Sequence, residues 1–275
     1  MTNMNGLDQH WSRSSFDRAA QRYDEAAVLQ RHVGDELLDR CATIKTDGAL
    51  VLDLGCGTGY LSRKLKLQAP KMITFGVDCS FSMSRHCLQH SFSSICADAQ
   101  RLPFEKESFD LIISNLAIQW CDYNRVFHEV ARLLKPGGRW MFSSVGQDTL
   151  MELRAAWAAV DNHQHVHEFA DMHHLGDSML LNGLKDPVLD VDRINMTYEN
   201  VMTLLTDLRT LGVVNASTAR HRGLTGRTKL KAMLNAYEDF RDVDGLLPST
   251  WEIIYGQADK AHDNQVKVHF SPGRG

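Results

Sequence analysis

No apolar run in this chain is long enough to cross a bilayer. The opening MTNMNGLDQHW lacks the apolar core of a secretory signal and the arginine-rich character of a mitochondrial transit peptide. Cysteine occurs as six scattered residues (Cys41, Cys56, Cys79, Cys87, Cys96 and Cys121) with no C-x-x-C pair. That spacing offers neither a zinc signature nor a disulfide framework, so reduced, small, buried thiols are expected, as in a cytoplasmic protein. Excess positive charge is also missing. A formal net charge of −4 gives no reason to expect nucleic acid or an anionic membrane as partner. There is no internal repeat and no low-complexity tract. The 275 residues, 43% of them hydrophobic, suffice for one full core, either a large domain or a domain carrying an elaborate cap.

What the chain does have is alternation. LVLDL (50–54), ITFGVD (73–78), SSICAD (93–98), LIISNLA (111–117) and RWMFSSV (139–145) read as strands. Between them YLSRKLKLQ (60–68), SMSRHCLQH (82–90) and YNRVFHEVARLLK (123–135) read as helices, and KPGG (135–138) as a helix stop and turn. Repeated β–α alternation predicts a mostly parallel sheet with helices on both faces. Residues 14–41 predict one or two helices, since Phe16, Ala19, Tyr23, Ala27, Val28 and Leu29 recur at helical spacing. Residues 147–170 and 200–212 also read as helical, as does 220–244, which is basic at its start. Residues 186–198 and 250–258 read as an antiparallel edge hairpin, and the tail HFSPGRG as frayed.

The stretch VLDLGCGTGYLS (51–62) places Gly55, Gly57 and Gly59 between a strand and a helix, a turn in which backbone can approach a ligand without Cβ interference. A phosphate would favour bare N–H groups with no anion beside them, yet Asp53 stands on the strand side of the glycines. A ligand bearing an ammonium would welcome that carboxylate. Asp78 ends the second strand, placed to accept both hydroxyls of a ribose, and Asp98 ends the third, placed to accept from an exocyclic adenine amine. An adenosine with a cationic amino-acid tail, S-adenosyl-L-methionine, satisfies all three acids.

DLGCGTGYLS, Asp78, ADAQRLPFEKESFDLIISN and LLKPGGRW together resemble the successive motifs of class I S-adenosylmethionine-dependent methyltransferases. FDRAAQRYDEAAVLQRHVGDELL, SNLAIQWC and NVMTLLTDLRTLGVVN are further similar to the malonyl-[acyl-carrier-protein] O-methyltransferase family of biotin synthesis. The resemblance implies a Rossmann-like, seven-stranded α/β fold. It also implies a helical lid segment (1–45) and a methyltransferase domain (46–275) with cap insertions at about 147–180 and 200–245. It implies that Gly55, Gly57 and Gly59 shape the methionine pocket and that Asp78 holds the ribose. Asp98 and Ala99 would meet the adenine, while Asn115 and Leu116 would face the sulfonium; Ala99 and Leu116 are equally at home as core residues. The implied reaction methylates the free carboxylate of a malonyl thioester on acyl-carrier protein or coenzyme A, in a chain expected to be monomeric, with S-adenosyl-L-homocysteine as product.

A carboxylate acceptor is already ionised at neutral pH, so no general base is required and alignment must supply the rate. Arg209 is a candidate for gripping that carboxylate, or else a solvated helix arginine. Tyr23 closes over substrate or methionine, or else packs in the core. Gln119 and Trp120 lie where α/β sheets place ligands, beyond the strand carboxyl ends, although Trp120 equally suits packing. Arg220, Arg222, Arg227, Lys229 and Lys231, with Arg18 and Arg22, form either a docking face for an acidic carrier or a solvated surface. His163, His165, His167, His173 and His174 are read as exposed and non-catalytic, with no metal site expected. The alternatives are a small-molecule carboxylate or quinone-precursor methyltransferase, a hydroxylase or assembly factor of the same fold, and a non-catalytic cofactor-binding protein.

Overall fold

The computed structural model describes residues 6–41, 48–89, 92–220, 223 and 225–262; Arg222 and the HFSPGRG tail lie outside them. Seven strands form one sheet: β1 (Leu50–Leu54), β2 (Ile73–Asp78), β3 (Ser93–Cys96), β4 (Phe109–Asn115), β5 (Leu134–Val145), β6 (Leu184–Tyr198) and β7 (Leu247–Lys260). Their spatial order is β3-β2-β1-β4-β5-β7-β6. The first five run parallel, while β7 inserts antiparallel between β5 and β6. The strand order reverses beside β1, so the carboxyl ends of β1 and β4 open the crevice in which such sheets bind ligands. The expected α/β class and the late hairpin are both present.

Around the sheet lie α1 (Gln9–Ala19), α2 (Tyr23–Ala26), α3 (Val28–Arg40), α4 (Tyr60–Gln68), α5 (Phe81–Gln89), α6 (Tyr123–Leu133), α7 (Met151–Ala158), α8 (Met172–Leu181), α9 (Val201–Thr210) and α10 (Arg227–Tyr237). α6 shows why the chain folds this way locally. Asp122 caps it through the N–H of Asn124, and Val126, Phe127, Val130 and Leu133 bury one stripe against the sheet. The two faces of the sheet carry two apolar clusters, one with Val51, Leu111 and Ile113, the other with Leu52, Ile112 and Phe142. That division follows the period-two alternation of side chains along β1 and β4.

Three local expectations need correction. The segment 14–41 is broken into three helices, because the backbone leaves helical geometry at Arg22 and Ala27. The break turns Asp24 toward the glycine turn, where its Oδ1 accepts from Thr58 Oγ1 at 2.7 Å. Residues 147–170 contain only α7. Beyond it Asp161 organises a loop, accepting from the His163 N–H and contacting His165 Nε2 at 2.8 Å. KPGG is part of β5 rather than a free turn, and the register with β4 shifts there.

Gly256 of β7 stands opposite Phe142 of β5, and the phenyl ring lies where a Cβ would be. Phe142 is fully buried and stacks on Trp140 at 5.3 Å, so the ring has little room to withdraw. Gly256→Ala is therefore expected to lower stability by about 1–3 kcal/mol through overpacking. Urea unfolding followed by tryptophan fluorescence measures it, and an unchanged midpoint would contradict the packing described.

Candidate active site

The glycine turn leaves β1 and enters α4. Gly55 has φ +75°, and a Cβ there would collide with that of Ala117; its N–H donates to the Val77 carbonyl at 2.7 Å. Gly57, with φ +53°, donates its N–H to Asp78 Oδ2 at 3.0 Å, and a Cβ on it would meet no protein atom within 4 Å. The backbone is thus bare toward a hollow, as the spacing predicts.

That hollow is a cavity of about 520 Å³ lined by Gly55, Gly57, Asp78, Asp98, Ala99, Asn115 and Leu116 together with residues of α1. A smaller cavity of about 40 Å³ reaches Asp53, Cys56 and Thr58, and shares Tyr23, Gly55, Gly57 and Asn115 with the larger one. Asp53 is buried, and its Oδ2 accepts from Ser62 Oγ at 2.6 Å. Burial pushes its carboxyl up to about 6, the Ser62 hydrogen bonds oppose this, and the Asp78 charge adds to it. Asp78 is likewise pushed up to about 6 by burial, although the N–H groups of Ser80 and Gly57 hold its charged form. Asp98 is exposed at the cavity rim, two residues beyond the end of β3, and accepts from the Gln100 backbone N–H at 2.9 Å.

The remaining expected residues divide. Asn115 ends β4, where its amide donates to the Gln30 carbonyl at 2.8 Å and accepts from Ser143 Oγ at 2.6 Å. Those bonds tie α3 to the sheet beside the site. Leu116 adopts φ +48°, an uncommon conformation for leucine, with its N–H held by Ser143. Tyr23 lines both cavities; burial, then the Asp78 and Asp24 charges, push its hydroxyl well above the usual range. Trp120 lines the larger cavity, edge-on to Phe16 at 5.6 Å.

Others are not brought together. Gly59 lines neither cavity; its φ of +85° caps α4, and Cys87 Sγ would lie 3.0 Å from a Cβ there. Gln119 is also outside both linings and bonds to the Leu116 carbonyl. Arg209 is exposed in the last turn of α9 and at the wall of neither cavity. The basic face is partly consumed: Arg220 pairs with Asp8 at 2.8 Å, Lys229 with Asp161 at 2.8 Å and Arg22 with Glu25 at 3.1 Å. Arg18 instead lies over the Trp11 ring at 5.5 Å. Arg227 and Lys231 are exposed. The histidines are not uniformly exposed. His165 stacks on Trp157 at 3.8 Å, and His167 is buried and pushed down to about 4 by that burial. Nor are all the thiols buried: Cys79 and Cys96 are exposed on the cavity wall and Cys121 is half-buried there.

Sequence reasoning expected a helical lid over 1–45 but did not single out the α1 residues that form a wall. His10, Arg13 and Phe16 line the larger cavity, and Asp17 fastens the helix to the start of α5 by accepting from Ser80 Oγ at 2.6 Å and the Ser82 N–H at 3.1 Å. The polar residues of α1 carried no signal of this, because a solvated helix face has the same composition.

Residues 52–142 match the family described as methyltransferase domain. A malonyl-[acyl-carrier protein] O-methyltransferase of Methylovorus sp. is 44% identical over 97% of this chain and 96% of its own length. Its namesake in Nitrosospira multiformis is 40% identical over 92% and 89%. Among solved structures, the YcgJ protein of Bacillus subtilis superposes with a TM-score of 0.61 at 17% identity, covering 84% of this chain and 99% of that one. Haemonchus contortus phosphoethanolamine N-methyltransferase 2 in complex with S-adenosyl-L-methionine gives 0.54 at 17%, covering 90% and 57%. These two likenesses concern the fold. Near end-to-end identity at these levels means that the chain belongs to the malonyl-[acyl-carrier protein] O-methyltransferase family.

Proposed function

We propose that the protein transfers a methyl group from S-adenosyl-L-methionine to the free carboxylate of a malonyl thioester carried by acyl-carrier protein, forming the methyl ester that enters biotin synthesis. The reading is carried by a full-length family match on a chain whose cavity wall presents carboxylates where a cationic nucleoside needs them. The cofactor fits by the chemistry of the donor set. Asp53, at the small cavity, suits an ammonium; Asp78 suits paired ribose hydroxyls; Asp98 and the flat side of Ala99 suit an adenine edge. Gly57 leaves the approach open. Residues 1–45 serve as the lid, and the insertions at about 147–180 and 200–245 as the cap, of the methyltransferase domain 46–275.

When bound, the cofactor supplies an electrophilic methyl on a sulfonium sulfur. The protein's own part is alignment and dehydration. Phe16, Leu116 and Trp120 present apolar surface to the larger cavity and exclude water from a carboxylate held there. Tyr23 stays protonated, so its hydroxyl donates a hydrogen bond to an anion and does not act as base. No group needs to remove a proton from malonyl, because the acceptor oxygen is already charged at neutral pH. The expected location is the cytoplasm; among the described residues no helix is long and apolar enough to cross a membrane.

The direct test is methyl transfer to malonyl-carrier protein, malonyl-coenzyme A and free malonate, read by ester formation and S-adenosylhomocysteine release. Turnover on a thioester with none on free malonate is expected; methylation of a small free acid or a quinone precursor in its place would overturn the assignment. Asp78→Asn is expected to weaken S-adenosylhomocysteine binding by about 1.5–3 kcal/mol, roughly ten- to hundredfold, in calorimetry.

The same acids set a pH dependence. With folded values near 6 against 3.8 for a free aspartate, Asp53 and Asp78 take up protons on the folded chain before the unfolded chain does. They therefore favour the ligand-free fold as pH falls through that window and disfavour it above. Binding runs the other way, because the ligand's ammonium and ribose hydroxyls call for the ionised acids. Affinity for S-adenosylhomocysteine is expected to fall between about pH 7.5 and about pH 5.5, and Asp53→Asn to flatten that slope. A pH-independent affinity in the unaltered protein would contradict the electrostatic role of the pair.

A further inference from the structure

Cys56 lies inside the glycine turn and Cys87 on α5, and neither belongs to the mechanism above. Their side chains pack together in a chamber that also holds Phe92. The chamber exists because two glycines leave it open. A Cβ on Gly76 would stand 2.8 Å from Cys56 Sγ and 3.3 Å from Cys87 Sγ, and one on Gly59 would stand 3.0 Å from Cys87 Sγ. Ser94 Oγ closes it, 3.7 Å from Cys56 Sγ. Cys87 is fully buried, whereas Cys56 also lines the small cavity beside Asp53. A small oxidant in that cavity thus stands beside Cys56, the outer member of the pair.

We infer that Cys56 and Cys87 form an oxidisable dithiol whose disulfide distorts the glycine turn and closes the site to its adenosyl ligand. The ligand part of this inference rests on the functional reading above; the crosslink does not. With hydrogen peroxide as oxidant, Cys56 loses its proton and its sulfur attacks one peroxide oxygen. The O–O bond breaks, and hydroxide leaves and takes up that proton as water. Cys87 then attacks the sulfenic sulfur, and the second oxygen leaves as water with the Cys87 proton. The two thiols are oxidised by two electrons and one peroxide is reduced to two waters. A disulfide needs its sulfurs at about 2.05 Å, well inside hydrogen-bonding separation. Closing that gap pulls residue 56 toward α5 and carries Gly55 and Gly57 with it, including the Gly57 N–H that holds Asp78.

The test treats the full chain with stoichiometric hydrogen peroxide, maps disulfides by peptide mass spectrometry and measures S-adenosylhomocysteine binding by calorimetry, with Cys87→Ala alongside. A Cys56–Cys87 linkage is expected, with affinity reduced about tenfold or more and restored by dithiothreitol. Cys87→Ala should bind like the unaltered chain and keep its affinity after peroxide. Saturating S-adenosylhomocysteine should slow the linkage by filling the small cavity. Absence of that linkage, or an equal loss of binding in oxidised Cys87→Ala, overturns the inference. Failure of the reduced, unaltered chain to bind S-adenosylhomocysteine would instead sink the functional reading, since the mapping reads the crosslink on its own.

Discussion

Two carboxylates that burial disfavours, held under one turn of backbone, organise this molecule. Asp53, next to last in β1, and Asp78, at the end of β2, stand on adjacent parallel strands; burial disfavours both charges, the Asp78 charge adds to this at Asp53, and the Asp17 charge adds to it at Asp78. A fold places acids this way only where rigid surroundings hold them. Here Ser62, Ser80 and Gly57 supply donors, and the Val77 carbonyl receives the N–H groups of both Gly55 and Cys56 at 2.7 and 2.9 Å. The donors are too few to replace full hydration. Arg13 on the cavity wall favours the charge of Asp78, and a ligand cation beside Asp53 would do the same for that acid.

This constraint explains what could be read from the chain. An acid closing an apolar strand next to glycines is a local pattern, so Asp53, Asp78 and the turn were legible without coordinates. The sheet was legible because β–α alternation is periodic over nearly a hundred residues. Arg209 was not, because helix periodicity gives a face but not the neighbour that face meets; its carboxylate-gripping role required the last turn of α9 to meet a cavity it does not line. The breaks at Arg22 and Ala27 carry neither glycine nor proline; tertiary contacts hold the bend, with Asp24 accepting from Thr58 through its side chain and from Arg31 through its carbonyl. His167 reads as exposed together with the rest of its histidine cluster, yet it is buried and Phe169 meets it edge-on at 5.3 Å.

The N-terminal segment is where tertiary structure adds most. α1 is tied at one end by Asp17 to the start of α5, and at the other by the pairing of Leu7 with Ser217 and of Asp8 with Arg220. Arg220 also lies over Trp11 at 5.1 Å. One short helix therefore joins the wall of the nucleoside cavity to the loop that follows α9. Arg220, read from sequence as either part of a docking face or solvated surface, serves to hold that joint.

Chemistry that needs no base leaves the protein free to commit its titratable groups elsewhere, and the site shows this allocation. Asp78 lines the larger cavity and Asp53 the smaller, and Tyr23 between them is kept protonated by burial and then by the charges of Asp78 and Asp24. A hydroxyl so placed can orient an anion but cannot be deprotonated near neutrality. A carboxylate acceptor asks nothing more of Tyr23 than that, since it arrives ionised at neutral pH and is ready to react without losing a proton.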